Sequence, residues 1–343
     1  MRNFVRSATL GATSLLAVLA LSGCASETSA DSPDPAGAAS GESAGFTTPR
    51  TMPEGKGSGE ADGVFPRTVA HFQGETTLDA EPERVVVIST GQADALLTLG
   101  VVPVGSTAGD GAEMIPPYLE AAYAGQADAL AETTYVGGRV EPDIETIANL
   151  EPDLILMNNA GKEAETLYAS LSAVAPTVAT QGTGLFWKQD FLLLADALGR
   201  TEQAQSWLDD YHADAAAFGE TVTGDPAVSF LRRNGDRMRV FGVASFSGSV
   251  AEDSGLARPE AQRFTDDTSV DISSERLDEA DGDWIFYGVQ GGDDEEITSQ
   301  SLWPTLAAVD AGRAVSVDDD VFYLNVGPTA ARGVLSALEA TLG

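Results

Sequence analysis

Cysteine, histidine and positive charge are all scarce in this chain, and each shortage closes off a class of function. The 343 residues hold one Cys, Cys24, and two His, His71 and His212. A lone thiol forms no intramolecular disulfide and no thiolate metal cluster. Two imidazoles are too few for the zinc or manganese sites that draw on several, so direct capture of those ions is disfavoured. Lys and Arg together number 19 against 53 Asp and Glu, a formal charge of −34. So acidic a surface repels phosphate backbones, and nucleic acid is not expected as a partner. Aromatic residues make up 7%, low for a glycosidase that stacks sugars, although carboxylates for such a carboxylate-pair hydrolase are plentiful. No Gly-x-Ser-x-Gly elbow is present, and neither His stands in sequence beside a Ser and an acid. Neither enzymatic activity nor a cofactor is therefore expected. Apolar material is present in ordinary measure, 43% of residues, enough for a real core. The length suits two domains or two lobes.

Long apolar runs are missing too, apart from one near the start. Arg2 and Arg6 precede an apolar run from Leu10 to Leu21 that Gly11, Thr13 and Ser14 interrupt. It is too short to span a bilayer and has the form of a secretory leader. The run ends in Leu21-Ser22-Gly23-Cys24, which resembles the lipobox of bacterial lipoproteins, where small residues precede the cleaved bond and the Cys thiol takes the diacylglycerol. Residues 1–23 are thus read as a signal peptide and Cys24 as the lipidation site, giving an extracytoplasmic protein anchored by lipid to the cell membrane. Cleavage removes two Arg and no acid, so the mature formal charge is −36. Residues 24–63 are mostly Ser, Ala, Gly, Pro, Asp, Glu and Thr, a composition that predicts a disordered tether with a reach of roughly 35 Å. Gly55-Lys56-Gly57-Ser58-Gly59 within it lacks the flanking strand and helix of a phosphate loop.

From Arg67 the pattern changes. A short hairpin is expected around Gly74. Apolar strands at 85–88, 101–104 and 154–157 alternate with helical patterns at 93–99, 144–149 and 164–171, the mark of an α/β fold whose parallel sheet is covered by helices. Between Trp187 and Phe218 apolar residues recur at helical spacing, with Gly199 as the expected kink. About 30 helical residues run roughly 45 Å, the length of a strut between lobes. The alternation then resumes, which divides the body into an N-terminal lobe at 64–182, a bridging helix at 183–220 and a C-terminal lobe at 221–343. An internal echo supports the division. Glu145, in Asp143-Ile144-Glu145-Thr146-Ile147, lies eight residues before Asp153-Leu154-Ile155-Leu156; Glu275, in Ser273-Ser274-Glu275-Arg276-Leu277, lies eight before Asp283-Trp284-Ile285-Phe286. Each is a helix start with an acid in its first turn, where the helix dipole alone favours one.

Several stretches carry a closer likeness: Glu83-Arg84-Val85-Val86-Val87, Val136-Gly137-Gly138-Arg139, the run Glu141-Pro142-Asp143-Ile144-Glu145 through Glu151-Pro152-Asp153-Leu154-Ile155, Leu302-Trp303-Pro304-Thr305-Leu306, and Gly327-Pro328-Thr329-Ala330-Ala331. On these the sequence from Arg67 to Leu342 resembles the substrate-binding lipoproteins of iron–siderophore ABC importers, the group that includes ferric-hydroxamate and cobalamin binders. The resemblance implies two Rossmann-like α/β lobes joined by a long backbone helix, with the ligand between the lobes. It implies an ABC permease dimer and its ATPase as partners of a monomeric binding protein, docked through one acid on each lobe, here Glu145 and Glu275. Arg139 matches the position of the family's hydroxamate-binding Arg, and Phe322-Tyr323 falls where an aromatic often covers the ligand.

The chemistry of such a ligand agrees with the shortages. A ferric siderophore arrives with its iron already saturated by oxygen, so the protein supplies guanidinium donors and rings and no metal ligands. Phe230 to Arg239 gathers Arg232, Arg233, Arg237 and Arg239 around Asn234-Gly235, a hairpin signal. Alternation sends Arg232 and Arg233 to opposite faces, and Arg232 is the preferred contact. Trp187, Phe246, Phe264, Phe322 and Tyr323 are the aromatic candidates, each with a plainer reading as core. The loop after Leu156, Asn158-Asn159-Ala160-Gly161-Lys162, has no Tyr, unlike close hydroxamate binders, so catecholate and mixed-ligand chelates stay open. Cobalamin or haem is the alternative ligand within the class; haem would want an axial His or Tyr.

Overall fold

The computed structural model describes residues 46–109 and 112–343. The expected leader, Cys24 and the first part of the expected tether lie outside the described residues. Among the described residues no helix is long and apolar enough to cross a membrane.

Strand β1 (Arg67–His71) pairs antiparallel with β2 (Gly74–Leu78) in the expected hairpin. The N-terminal lobe is a five-stranded sheet of β3 (Val85–Val87), β4 (Gly105–Ala108), β5 (Thr134–Gly138), β6 (Leu154–Asn158) and β7 (Thr177–Thr180), all parallel, in the order β5-β4-β3-β6-β7. Helices cover both faces, so Val85, Val86, Val87, Leu154, Ile155 and Leu156 are all buried and the strands read as unbroken apolar runs. The order reverses at β3. The loops after β3 and β6 therefore part and open a crevice beyond the strand ends.

The C-terminal lobe holds β8 (Val228–Asn234), β9 (Arg237–Phe241), β10 (Ser269–Ile272), β11 (Trp284–Val289) and β12 (Ala314–Ser316), ordered β10-β9-β8-β11-β12. This sheet is mixed, in contrast to the parallel sheet expected. β8, β11 and β12 are mutually parallel, but β9 runs against both of its neighbours. The cause is the tight turn after Asn234, where Gly235 takes φ +55°; so short a connection can only reverse the chain.

The bridge also differs from the one helix, kinked at Gly199, expected over 183–220. Helix Trp187–Ala197 ends, the chain turns through Leu198, Gly199 at φ +69° and Arg200, and helix Thr201–Thr221 folds back along the first. Trp187 meets Tyr211 at 5.5 Å and Phe191 meets Trp207 at 5.7 Å between ring centroids, the pairing of antiparallel helices. A Cβ at residue 199 would stand 3.0 Å from the Phe65 ring, so the turn needs glycine for space as well as for its φ. The longer helix has 21 residues and runs about 32 Å, shorter than the strut of roughly 45 Å. Phe191 of the first helix shares one continuous apolar core with Val85 and Leu156 of the N-terminal lobe and with Phe230, Phe286 and Leu335 beyond the bridge. A core common to both lobes resists wide opening between them.

Residues 46–63, expected to belong to the tether, lie against the body. Thr48 Oγ1 donates to Glu252 (2.8 Å), and Lys188 Nζ donates to Thr48 Oγ1 (3.0 Å). Gln189 Nε2 donates to the Thr51 carbonyl (2.9 Å), Gly57 bridges to Ala70, and Ser58 donates from N and Oγ to Asp196 at 2.7 and 2.8 Å. Met52 packs against the core, but paired polar groups do most to hold this strap, which a hydrophobicity argument does not count. The last helix, Pro328–Leu342, begins beneath the N-terminal lobe: Asp94 accepts from Thr329 N (2.8 Å) and Ala330 N (2.9 Å), a cap that crosses between the lobes.

Candidate ligand-binding site

Three cavities with shared walls form a trench between the lobes. One of about 300 Å³ lies against the N-terminal lobe, with Arg139, Val140, Asn158, Lys162 and Leu167 in its walls. A second, of about 200 Å³, shares Arg139, Asn158 and Ala160 with it and reaches the floor at Gln92, Thr180, Trp187 and Asp190. A third, of about 260 Å³, meets the floor at Thr183, Gly184 and Val326 and is walled by Phe241, Phe246, Phe322 and Tyr323.

The N-terminal wall is polar and built from loops at strand ends. Gly137, at φ +91° one residue before the end of β5, bridges to Pro142; a Cβ there would stand 2.9 Å from the Asp143 nitrogen. That close approach of backbone to backbone fixes the turn that carries the exposed Arg139 into the trench. Asn158 ends β6, its backbone N donating to Ser89 Oγ (3.1 Å), which joins the two loops at the sheet's switch point.

The floor is the first bridging helix. Trp187 is 2% exposed, and its Nε1 donates to Ser249 Oγ (2.9 Å). One turn on, Asp190 accepts from Gln181 N (2.9 Å) and Gly182 N (2.8 Å). Burial nevertheless pushes its pKa up to about 7, against the lowering effect of those hydrogen bonds. Gln92 is 5% exposed; its Oε1 accepts from Ser89 N (3.2 Å), while its Nε2 finds no partner.

The C-terminal wall is aromatic. Phe246 opens helix Phe246–Asp253, where the N-cap Ser245 Oγ accepts from Gly248 N (3.0 Å). Phe322 and Tyr323 sit in the single turn Asp320–Leu324, pinned by Tyr323 OH donating to the Phe286 carbonyl (2.8 Å). Phe241, at the end of β9, meets Tyr323 at 4.9 Å. All four rings are buried apart from an edge, so the wall is fixed by packing before any ligand arrives.

Of the residues singled out from sequence, Arg139, Trp187, Phe246, Phe322 and Tyr323 come together here. Three do not line the trench. Arg232 is 5% exposed and committed to Asp319 by two hydrogen bonds of 2.6 Å, behind the Tyr323 ring at 6.0 Å. Arg233 points to the opposite face and pairs with Glu296 (3.0 Å). Phe264 packs with the outer apolar cluster of the C-terminal lobe, against Gly242. Sequence reasoning missed Gln92, Lys162, Asp190 and Phe241. Only Phe241 carried a signal, at the end of an apolar-alternating strand before a glycine. The rim beside Arg232 is acidic: burial, then Asp318 and Asp319, push Asp320 up to about 6, with a smaller contribution from Glu113, while Arg232 opposes them.

Glu145 and Glu275 are both exposed. Asp143 does the capping at the first helix, accepting from Glu145 N (3.1 Å) and Thr146 N (3.0 Å), so the Glu145 carboxylate is not spent on it. A hydrogen bond from Ser273 lowers the pKa of Glu275. His71 and His212 lie outside the three cavities, and burial lowers each to a pKa of about 4. Among the described residues no group of three or more His, Cys, Asp or Glu is arranged to hold a metal ion.

Residues 85–321 match the family model described as periplasmic binding protein. The chain belongs to that family. It is 30% identical over 307 residues to the probable siderophore-binding lipoprotein YfiY of Bacillus subtilis, covering 83% of this chain and 90% of that one. It is 28% identical over 305 residues to the iron(3+)-hydroxamate-binding protein FhuD of the same organism, covering 84% and 90%. Among solved structures, Staphylococcus aureus SirA in complex with staphyloferrin B superposes with a TM-score of 0.69 at 25% identity, over 80% of this chain and 98% of that one. Periplasmic binding proteins are substrate-binding components of transport. The two-lobed α/β architecture with a long connecting helix is common to this chain and these structures.

Proposed function

We propose that this protein captures a ferric siderophore between its lobes and delivers it to an ABC importer, acting by binding and not by catalysis. The observation that carries this reading is the pairing of an exposed guanidinium, Arg139, with a preformed wall of Phe241, Phe246, Phe322 and Tyr323 across one trench. Arg139 donates to the chelate's oxygens; the rings cover its apolar rim. Iron stays inside the chelate, and the protein needs no cofactor. The names of YfiY, FhuD and SirA support the same class of ligand. Glu145 and Glu275, exposed on separate lobes, are the proposed contacts to a permease dimer, and lipidated Cys24 the anchor that keeps the monomeric protein outside the cell at the membrane.

Titration with a panel of ferric chelates tests the reading. Trp187 forms part of the floor, so a bound chelate quenches its fluorescence, with saturation expected below micromolar concentration. Free iron, haem and cobalamin are expected to leave the signal unchanged. No quenching and no thermal shift with hydroxamate, catecholate or citrate-type chelates overturns the proposal. Charge reversal of Glu145 and Glu275 together is expected to stop uptake while ligand affinity stays the same; unchanged uptake removes the docking role.

A further inference from the structure

The floor cavity differs from the rest of the trench in size and chemistry. At about 200 Å³ it is too small for a ferric chelate, yet larger than the cavity of roughly 150 Å³ that holds a benzene ring in an engineered core. Its walls converge three polar groups of different kinds. Gln92, 95% buried by its 5% exposure, offers an Nε2 donor with no protein acceptor. Asp190 is held by the Gln181 and Gly182 nitrogens at 2.9 and 2.8 Å and by the Thr180 side chain, which leaves one of the roughly four lone-pair sites of its carboxylate for a further donor. Arg139 overhangs the same space. Trp187, Phe191 and Leu194 supply the apolar remainder. Burying a donor without a protein acceptor and a desolvated carboxylate is costly for both, and one ligand head that carries both an acceptor and a donor can relieve the two together.

We propose that this cavity is a subsite for an amino-carboxylate head on the siderophore, its ammonium on Asp190 and its carboxylate on Gln92 Nε2 and Arg139. The assignment rests on the trench being the ligand site and narrows the ligand to chelates that carry such a zwitterionic arm. Donors and acceptors then match in number and sign: the ammonium donates to the Asp190 carboxylate, and the amide and guanidinium donate to the ligand carboxylate. The ammonium also favours ionised Asp190, bringing its pKa down from the value that burial imposes.

A small probe separates this subsite from the question of the chelate. The full chain is titrated with L-serine, and with L-lactate and ethanolamine, which each lack one of the two charges, by calorimetry or amide NMR shifts. Serine is expected to bind saturably in the millimolar range, at least about tenfold tighter than either control, with shifts confined to the floor. Asp190→Asn is expected to remove the preference over lactate, and Gln92→Leu to weaken serine severalfold; thermal melts of both variants verify folding. Absence of saturable serine binding to the wild-type chain, or equal binding of all three probes that neither substitution alters, overturns the subsite. The siderophore proposal stands or falls separately, on the chelate panel.

Discussion

The two walls of the trench spend their charges differently. On the N-terminal side Arg139 stands exposed on a loop fixed by Gly137, and Lys162 lines the same cavity. On the C-terminal side the sequence places four Arg within residues 232–239, yet the best placed of them, Arg232, is locked to Asp319. There the rings form the wall and the guanidinium stands behind them. In the proposed reading one wall grips chelate oxygens and the other presents a rigid apolar surface, and a cluster of positive residues in sequence is a poor guide to which is which. A guanidinium already satisfied by a carboxylate has its donors occupied and its charge cancelled.

The largest expected effect of breaking this asymmetry is on stability. Arg232→Ala leaves Asp319 without its partner behind the ring wall and should cost about 3 kcal/mol in urea unfolding, with the ligand contact of Arg139 intact. Arg139→Ala should do the reverse. Stability should stay within about 0.5 kcal/mol of wild type, while the loss of charge-assisted hydrogen bonds, about 2 kcal/mol, weakens chelate binding at least tenfold by calorimetry. A smaller effect sharpens the account of the aromatic wall. Tyr323→Phe removes the bond to the Phe286 carbonyl while the ring remains, and should cost about 1 kcal/mol of stability.

Acid sensitivity is the finest test, and it concerns what holds the ring wall from behind. Helix Phe246–Asp253 ends at Asp253, which accepts from Lys188 (2.7 Å) and Tyr211 (3.0 Å) and lies 3.6 Å from His212. Burial, with Lys188 and Arg50 adding, lowers His212 to about 4. The unfolded chain therefore binds a proton at His212 between pH 6.5 and 4 that the folded protein does not, and stability from this group is lost as pH falls through that window. Asp190 and Asp320, raised to about 7 and about 6, act in the opposite direction. The difference between variants isolates the His: His212→Gln should flatten the fall of Tm on acidification, by differential scanning fluorimetry from pH 7 to 4.

Much of the architecture was legible because it is written locally. The apolar runs at β3 and β6, the turn at Asn234-Gly235 and the break at Gly199 each follow from residues within a few positions of one another. The direction of the chain after Gly199 was not legible, since it depends on Trp187 finding Tyr211. Nor was the docking of the strap, where Ser58 pairs with Asp196, far along the chain. The site divides in the same way. Arg139 and Phe322-Tyr323 entered through family resemblance, whereas Asp190 is one carboxylate among 53 acids, distinguished only by where the bridging helix buries it. Asp319 lies 87 residues from Arg232, and no local pattern announces their pairing.

A crystal structure of the protein with a bound ferric chelate tests the central claim most directly. The account predicts the chelate in the trench, Arg139 within hydrogen-bond distance of its oxygens, the Phe246 and Tyr323 rings against its apolar edge, and no protein atom coordinated to iron. A protein oxygen or nitrogen at about 2.0–2.2 Å from the ferric ion, or a loaded chelate bound anywhere else with the trench vacant, contradicts it.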